Sequence, residues 1–196
     1  MRSVLISIQP KWCELIANGS KTIEVRKTKP KLETPFKVYI YCTKGNVSEG
    51  LVVGGDAKLI KCTNYNRAIP IGGYIGNGKV IGEFVCEVIL PISVYYSDQN
   101  SRAALREGPF TCLTDKEIMD YLGNGNTGYG WTISNLVIYD KPRELSEFWQ
   151  NGGEFNIKRD NINDIKIIGN EVYKPITRPP QSWCYVESEC DIKCSI

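Results

Sequence analysis

The sequence of 196 residues contains no histidine. That excludes a Ser-His-Asp triad, a Cys-His dyad and any His-ligated metal. The side chain most used for proton transfer near neutral pH is missing, so acid–base chemistry would fall to Lys, Glu, Asp, Tyr or Cys. Long apolar runs are missing too. Nothing approaches the roughly 18 consecutive apolar residues of a membrane-spanning helix. The opening MRSVLISIQPKW has too short an apolar run for a signal peptide, and Lys11 with an expected helix follows where a cleavage site should be. No CxxC pair occurs among the eight cysteines.

The cysteines that are present (Cys13, Cys42, Cys62, Cys86, Cys112, Cys184, Cys190 and Cys194) read as reduced thiols of a cytoplasmic protein. Cys184, Cys190 and Cys194 are the closest group. Their spacing is not a standard zinc knuckle, and unlinked thiols are the simpler reading. No cofactor is expected. A 42% apolar content is ordinary for a globular chain, and a chain of this size buries roughly 70% of its unfolded surface without help from disulfides. The length predicts one domain over residues 1–196. The net charge of +2 hides an asymmetry. Residues 1–44 hold nine Lys/Arg against three Asp/Glu, while the remainder is net acidic. The N-terminal segment could therefore meet an anionic partner, or simply present a solvated basic face.

Val4–Gln9 alternates as a strand. Pro10 suits a first helical position and Gly19 a position just past a helix end. Between them Trp12, Leu15 and Ile16 form a stripe expected to be buried. Thr22–Lys27 alternates strictly, with Ile23 and Val25 on one face and Thr22, Glu24 and Arg26 on the other. A basic turn over 27–31 follows. Phe36–Thr43 is apolar on both faces and reads as a central strand. A short strand is expected near Ala57–Cys62, and a long one over Lys79–Ile89 ended by Pro91. Thr114-Asp115-Lys116-Glu117 matches a capping box, with Ile118, Tyr121 and Leu122 as its helix's apolar stripe. Residues 123–130 read as a loop, Trp131–Tyr139 as one strand and Pro142 as the start of a short helix burying Leu145, Phe148 and Trp149. Ser182–Glu187 is the last strand, entered through Pro179 and Pro180. The order suggests an α+β, mainly β fold: a small mixed barrel with peripheral helices.

The most informative string is Gly19-Ser20-Lys21-Thr22-Ile23-Glu24-Val25-Arg26. Glu24 and Arg26 leave one face of a strand about 6–7 Å apart. A carboxylate there orients a guanidinium. On pattern alone a surface ion pair, worth about 0–1 kcal/mol, is the favoured reading.

This string, with Ser7-Ile8-Gln9-Pro10-Lys11-Trp12 before it, resembles the signature of ASCH domains, members of the PUA-like superfamily of small β-barrels. The resemblance continues in Val80–Phe84, Gly130–Ser134, Val137–Pro142 and Pro179–Val186. It leaves 44–79, 91–128 and 151–176 as insertions, in a long form similar to chains of bacteria and their phages. It implies a cleft that takes RNA or a modified nucleotide. In such a cleft Lys11, Lys21 and Arg26 would meet phosphate or a base carbonyl, and Glu24 an exocyclic amine. Ser134 is a further candidate contact, and Trp131, Trp12 and Trp183 are candidate stacking platforms. Some small ASCH proteins are amidohydrolases of N4-acylated cytidine, and the resemblance to their site implies Lys21, Glu24 and Glu83 as catalytic groups if this chain is an enzyme. It departs at position 24, where Glu stands in place of the expected threonine nucleophile. Ribonuclease activity is another implied chemistry. Thr132 stands where similar long chains often carry histidine. A third reading is a phage or prophage accessory protein whose insertions bind another protein. No membrane partner is expected.

Overall fold

The computed structural model describes residues 2–45, 50–54, 61–63, 71–95, 102–104, 110–123, 127–153, 165–168 and 171–188. The expected tail from Cys190, and with it Cys194, lies outside these residues. Cys184 is a free thiol.

An eight-stranded sheet forms the frame. Its strands are β1 (Ser3–Ile8), β3 (Phe36–Cys42), β7 (Val80–Cys86), β11 (Ser134–Arg143), β12 (Phe148–Asn151), β13 (Lys166–Ile168), β14 (Glu171–Pro175) and β15 (Trp183–Ser188), in the order β11-β7-β3-β1-β15-β12-β14-β13. A four-stranded sheet has the order β2-β10-β8-β9, with β2 at Ile23–Arg26, β8 at Ile89–Tyr95, β9 at Arg102–Ala104 and β10 at Thr127–Thr132. Three short strands, β4 (Gly50–Gly54), β5 (Lys61–Thr63) and β6 (Gly73–Ile75), make a third sheet. The helices α1 (Pro10–Ala17) and α2 (Asp115–Leu122) flank them.

The mainly β, α+β expectation holds at this level, but the sheets do not close into a barrel. The reason lies in the pairing of β1. It lies parallel to β3 on one side and antiparallel to β15 on the other, so both its edges are spent. β2 therefore cannot add to it. The outer edge of β2 instead begins on residue 110, whose carbonyl accepts from Thr22 N and Ile23 N.

The two larger sheets meet at a corner. β7 passes into β8 through Glu87 and Val88, and β10 into β11 through Ile133. Thr132 stitches the turn: its hydroxyl accepts from Val88 N at 3.0 Å and lies 3.1 Å from Val88 O. The stretches expected to be single strands, 79–89 and 131–139, are thus each broken at this corner. Pro91 does not end a strand. It sits inside β8, opposite Tyr129 of β10. Similarly, β10 starts within the expected 123–130 loop. Pro142 lies in β11, and only a 3-10 turn at Leu145–Glu147 precedes β12. At Gly82 the neighbouring strand comes close enough that a Cβ would strike the Val137 carbonyl, so glycine there allows β11 to pair with β7.

The inner face of the large sheet, Val4, Ile6, Ile8, Val38, Ile40 and Phe84, packs against Cys13 and Ile16 of α1 and against Trp131 of β10. The buried stripe of α1 is therefore Cys13 and Ile16, with Trp12 and Leu15 half-buried. The opposite face holds a second cluster of Leu5, Tyr39, Tyr41, Val80, Phe148 and Val186.

Candidate functional site

α1 begins at Pro10 as expected, and Gly19 at φ +79° reverses the chain behind it. Lys21 N then bonds to Leu15 O, which returns the chain along the helix and into β2. All four residues of β2 are buried. Val25 points into a cluster with Ile92 and with Ile118 and Leu122 of α2, so alternation turns Glu24 and Arg26 the other way, toward β1 and α1.

Here the expectation of a surface ion pair fails. Lys21, Glu24 and Arg26 are only 2, 7 and 7% exposed. Glu24 bridges the two cations, Oε2 at 3.3 Å from Lys21 Nζ and Oε1 at 2.8 Å from the Arg26 NH2 group. The Lys21 ammonium also donates to Ile23 O at 2.9 Å and Thr111 O at 2.6 Å. Its three protons are thus committed within the protein. Lys21 ties the 110–111 segment to β2 rather than offering a vacant donor. Arg26 differs. Its NH2 group also donates to Ser7 O at 2.7 Å, spanning the gap between β2 and β1, yet its buried Nε has no hydrogen-bond partner among the described residues.

Over this cluster lies a cleft of about 440 Å³. Ser7, Ile8 and Gln9 at the end of β1, Trp12 of α1 and Gln181 line one side; Glu117, Asp120 and Tyr121 of α2 line the other. α2 is held there by its capping box, with Thr114 Oγ1 accepting from Glu117 N and the Glu117 carboxylate accepting from Thr114 N at 2.9 Å. Those two Thr114 groups hold the Glu117 carboxyl below its ordinary range. The acidic contribution of α2, with Thr43 and Gln181, is what the sequence alone did not place at the cleft. The capping box marked the helix but not what it would pack against.

The other expected residues scatter. Lys11 is exposed, with its ammonium 4.2 Å from the Trp12 ring centre, beside the cleft rather than in its lining. Trp12 does line the cleft. Trp131 is fully buried and meets Phe36 edge-on at 5.7 Å, so it is a core ring with no face open for stacking. Trp183 is half-buried and donates to Thr28 Oγ1. Ser134 donates to Val85 O and serves the β7–β11 junction. Glu83 is opposite Tyr39, whose ring belongs to the second cluster on the far face of the large sheet. Its carboxylate binds Lys37 at 3.0 Å and accepts from Tyr139 OH at 2.6 Å. The trio Lys21, Glu24 and Glu83 is therefore not assembled. No group of three metal-ligating side chains occurs among the described residues, and no described helix is long and apolar enough to cross a membrane.

The model of the ASCH domain family matches residues 6–94. No curated protein matches the chain. Among solved structures it is similar to the crystal structure of ASCH from Zymomonas mobilis, at 16% identity and a TM-score of 0.52, covering 97% of this chain and 91% of the other. A tyrosine-to-phenylalanine mutant of the Zymomonas mobilis protein gives 17% identity and a TM-score of 0.53 over 98% and 95% of the two chains. A serine-to-alanine mutant gives the same identity and score over 98% and 93%. At such identities the likeness is one of fold.

Proposed function

We propose that the chain, whose residues 6–94 match the model of the ASCH domain family, is a cytoplasmic binder of RNA or of a modified nucleoside or nucleotide. The cleft above Lys21, Glu24 and Arg26 is the site. One observation carries this reading: Arg26 is buried, fixed on two sides by Glu24 and Ser7 O, and still keeps an unused Nε–H beneath an open cleft. A buried donor without an acceptor is costly. A carbonyl or phosphate oxygen of a ligand relieves that cost. Glu24 and Ser7 O hold the guanidinium in place, so little entropy is lost on binding. Trp12 offers the aromatic wall on which a base can lie.

The carboxylates of Glu117 and Asp120 shape the choice of ligand. They face the same cleft as the cations, so a base with exocyclic amino groups fits there better than a bare polyanion. Hydrolysis gains no comparable support. Lys21 has no vacant proton position, and Glu83 is engaged on the other side of the sheet.

The test is an equilibrium binding screen of nucleosides, nucleotides and short single-stranded RNAs on the purified chain. The expected outcome is a ligand whose affinity falls at least tenfold in Arg26→Ala, with the melting profile of the variant still cooperative. Failure of every member to bind at low salt would reject the reading.

A further inference from the structure

A second groove, of about 250 Å³, opens on the large sheet where β15, β12 and β14 run side by side. Trp149, Tyr173 and Tyr185 form its walls, with the amides of Gln150 and Asn151 beside them and Arg2 at the rim. Register explains the grouping. Trp149 is opposite Glu187, and Asn151 opposite Tyr173. Alternation along β15 and β12 then brings Tyr185, Trp149 and Tyr173 to one face.

Three observations suggest an occupant. The buried Nε1 of Trp149 has no acceptor among the described residues. The rings are interleaved with cations: the Arg2 guanidinium is 5.2 Å from the Tyr185 ring centre, and the Lys166 ammonium 4.1 Å from that of Trp149. Finally, the exposed basic turn Lys27, Lys29 and Lys31 touches both concave features. Lys27 is 5.2 Å from the ring centre of Tyr121 in the first cleft, while Lys31 N donates to Tyr185 OH at 2.7 Å in the second groove.

We propose that this groove is a second binding site for single-stranded nucleic acid, taking a flanking base of a strand whose other nucleotide occupies the cleft over Arg26. The strand's backbone crosses the Lys27–Lys31 turn. A base stacks on Trp149 or Tyr185, one of its carbonyls accepts from Trp149 Nε1, and Gln150 and Asn151 meet its edge. Arg2 takes the adjoining phosphate. The cations of Arg2 and Lys166 lie over the rings, while the Glu171 carboxylate is taken up by Tyr173 OH at 2.6 Å, so the groove suits an anionic, aromatic chain better than a cationic ligand. A paired duplex does not fit, because its bases are not available to stack. Stacking on aromatic faces tolerates any base, so the groove adds affinity with little sequence preference. This rests on the reading of the first cleft given above.

Fluorescence anisotropy with labelled oligocytidylates, a dinucleotide and a dodecamer, whose bases carry the exocyclic amine the first cleft calls for, tests it on the full chain. The dodecamer is expected to bind at least about tenfold tighter than the dinucleotide. Trp149→Ala, Arg2→Ala and the surface variant Lys29→Glu should each remove much of that gain while dinucleotide binding stays unchanged. The exposed Arg2 and Lys29 carry the test should Trp149→Ala fail to fold. Equal affinity for the two lengths, or a length gain untouched by the variants, overturns the second site. Dinucleotide binding that is lost in Arg26→Ala but shows no gain with length defeats the groove alone. No binding by either probe defeats both sites.

Discussion

Three charged side chains of β2 and its entry form the buried cluster beneath the cleft. Glu24 holds two cations in a place with almost no water. Removing the carboxylate leaves both buried and uncompensated, and Glu24→Ala is expected to cost about 3–5 kcal/mol in denaturant unfolding. By contrast, Lys11→Ala should stay within about 0.5 kcal/mol, since Lys11 is solvent-exposed. Thiol chemistry gives a second residue-level check. Burial pushes the Cys13 thiol well up and the Cys86 thiol to about 11. Both stay protonated near pH 8 and should resist iodoacetamide until the protein unfolds. Of the two part-buried thiols, Cys112 should be modified before Cys184, which burial pushes up to about 11. The charged string itself was legible in the sequence, but its burial was not. Strict alternation with Ile23 and Val25 inward reads as polar-outward, and the segment that covers the polar face, residues 110–111, arrives from about 90 positions away in sequence.

At the scale of elements, α2 and the β7–β11 pair position the site and the frame. The capping box of α2 was legible because it is local. Thr114→Ala should destabilise the protein by about 1 kcal/mol. Because its folded pKa is depressed, Glu117 contributes stability that is present above the ordinary carboxylate range and lost as pH falls through the folded value. Thermal melts at decreasing pH should show wild type losing its advantage over Glu117→Gln below about pH 4.5. Gly82→Ala should cost about 1–3 kcal/mol by forcing β11 away from β7. The corner between the two large sheets was not legible. Its hydrogen bonds join Val88 to Thr132, distant in sequence, and nothing in the run from 79 to 89 marks the break. Likewise Pro91, a usual strand terminator, is tolerated in β8 opposite Tyr129.

For the whole molecule, strand order and charge distribution matter more than net charge. The mainly β class was legible from composition and alternation. The open arrangement was not, because it depends on β1 spending both edges on β3 and β15. That arrangement leaves the gap between β1 and β2 which Arg26 spans, and so creates the cleft. The basic excess of residues 1–44 is gathered partly on the exposed 27–31 turn. Three lysines there, with Arg2, predict a slope of roughly −3 for log affinity against log salt with a single-stranded oligomer. A free nucleoside should show almost none.

The central claim is that Arg26 Nε–H is the donor the ligand completes. The most direct measurement is the side-chain Nε–H resonance of Arg26, followed by NMR while the tightest ligand of the binding screen is added. The account predicts one isolated Arg signal that moves downfield in proportion to occupancy, with slower exchange with solvent, and that disappears from the spectrum in Arg26→Lys. An Arg26 signal that stays fixed while the ligand saturates the protein would contradict it.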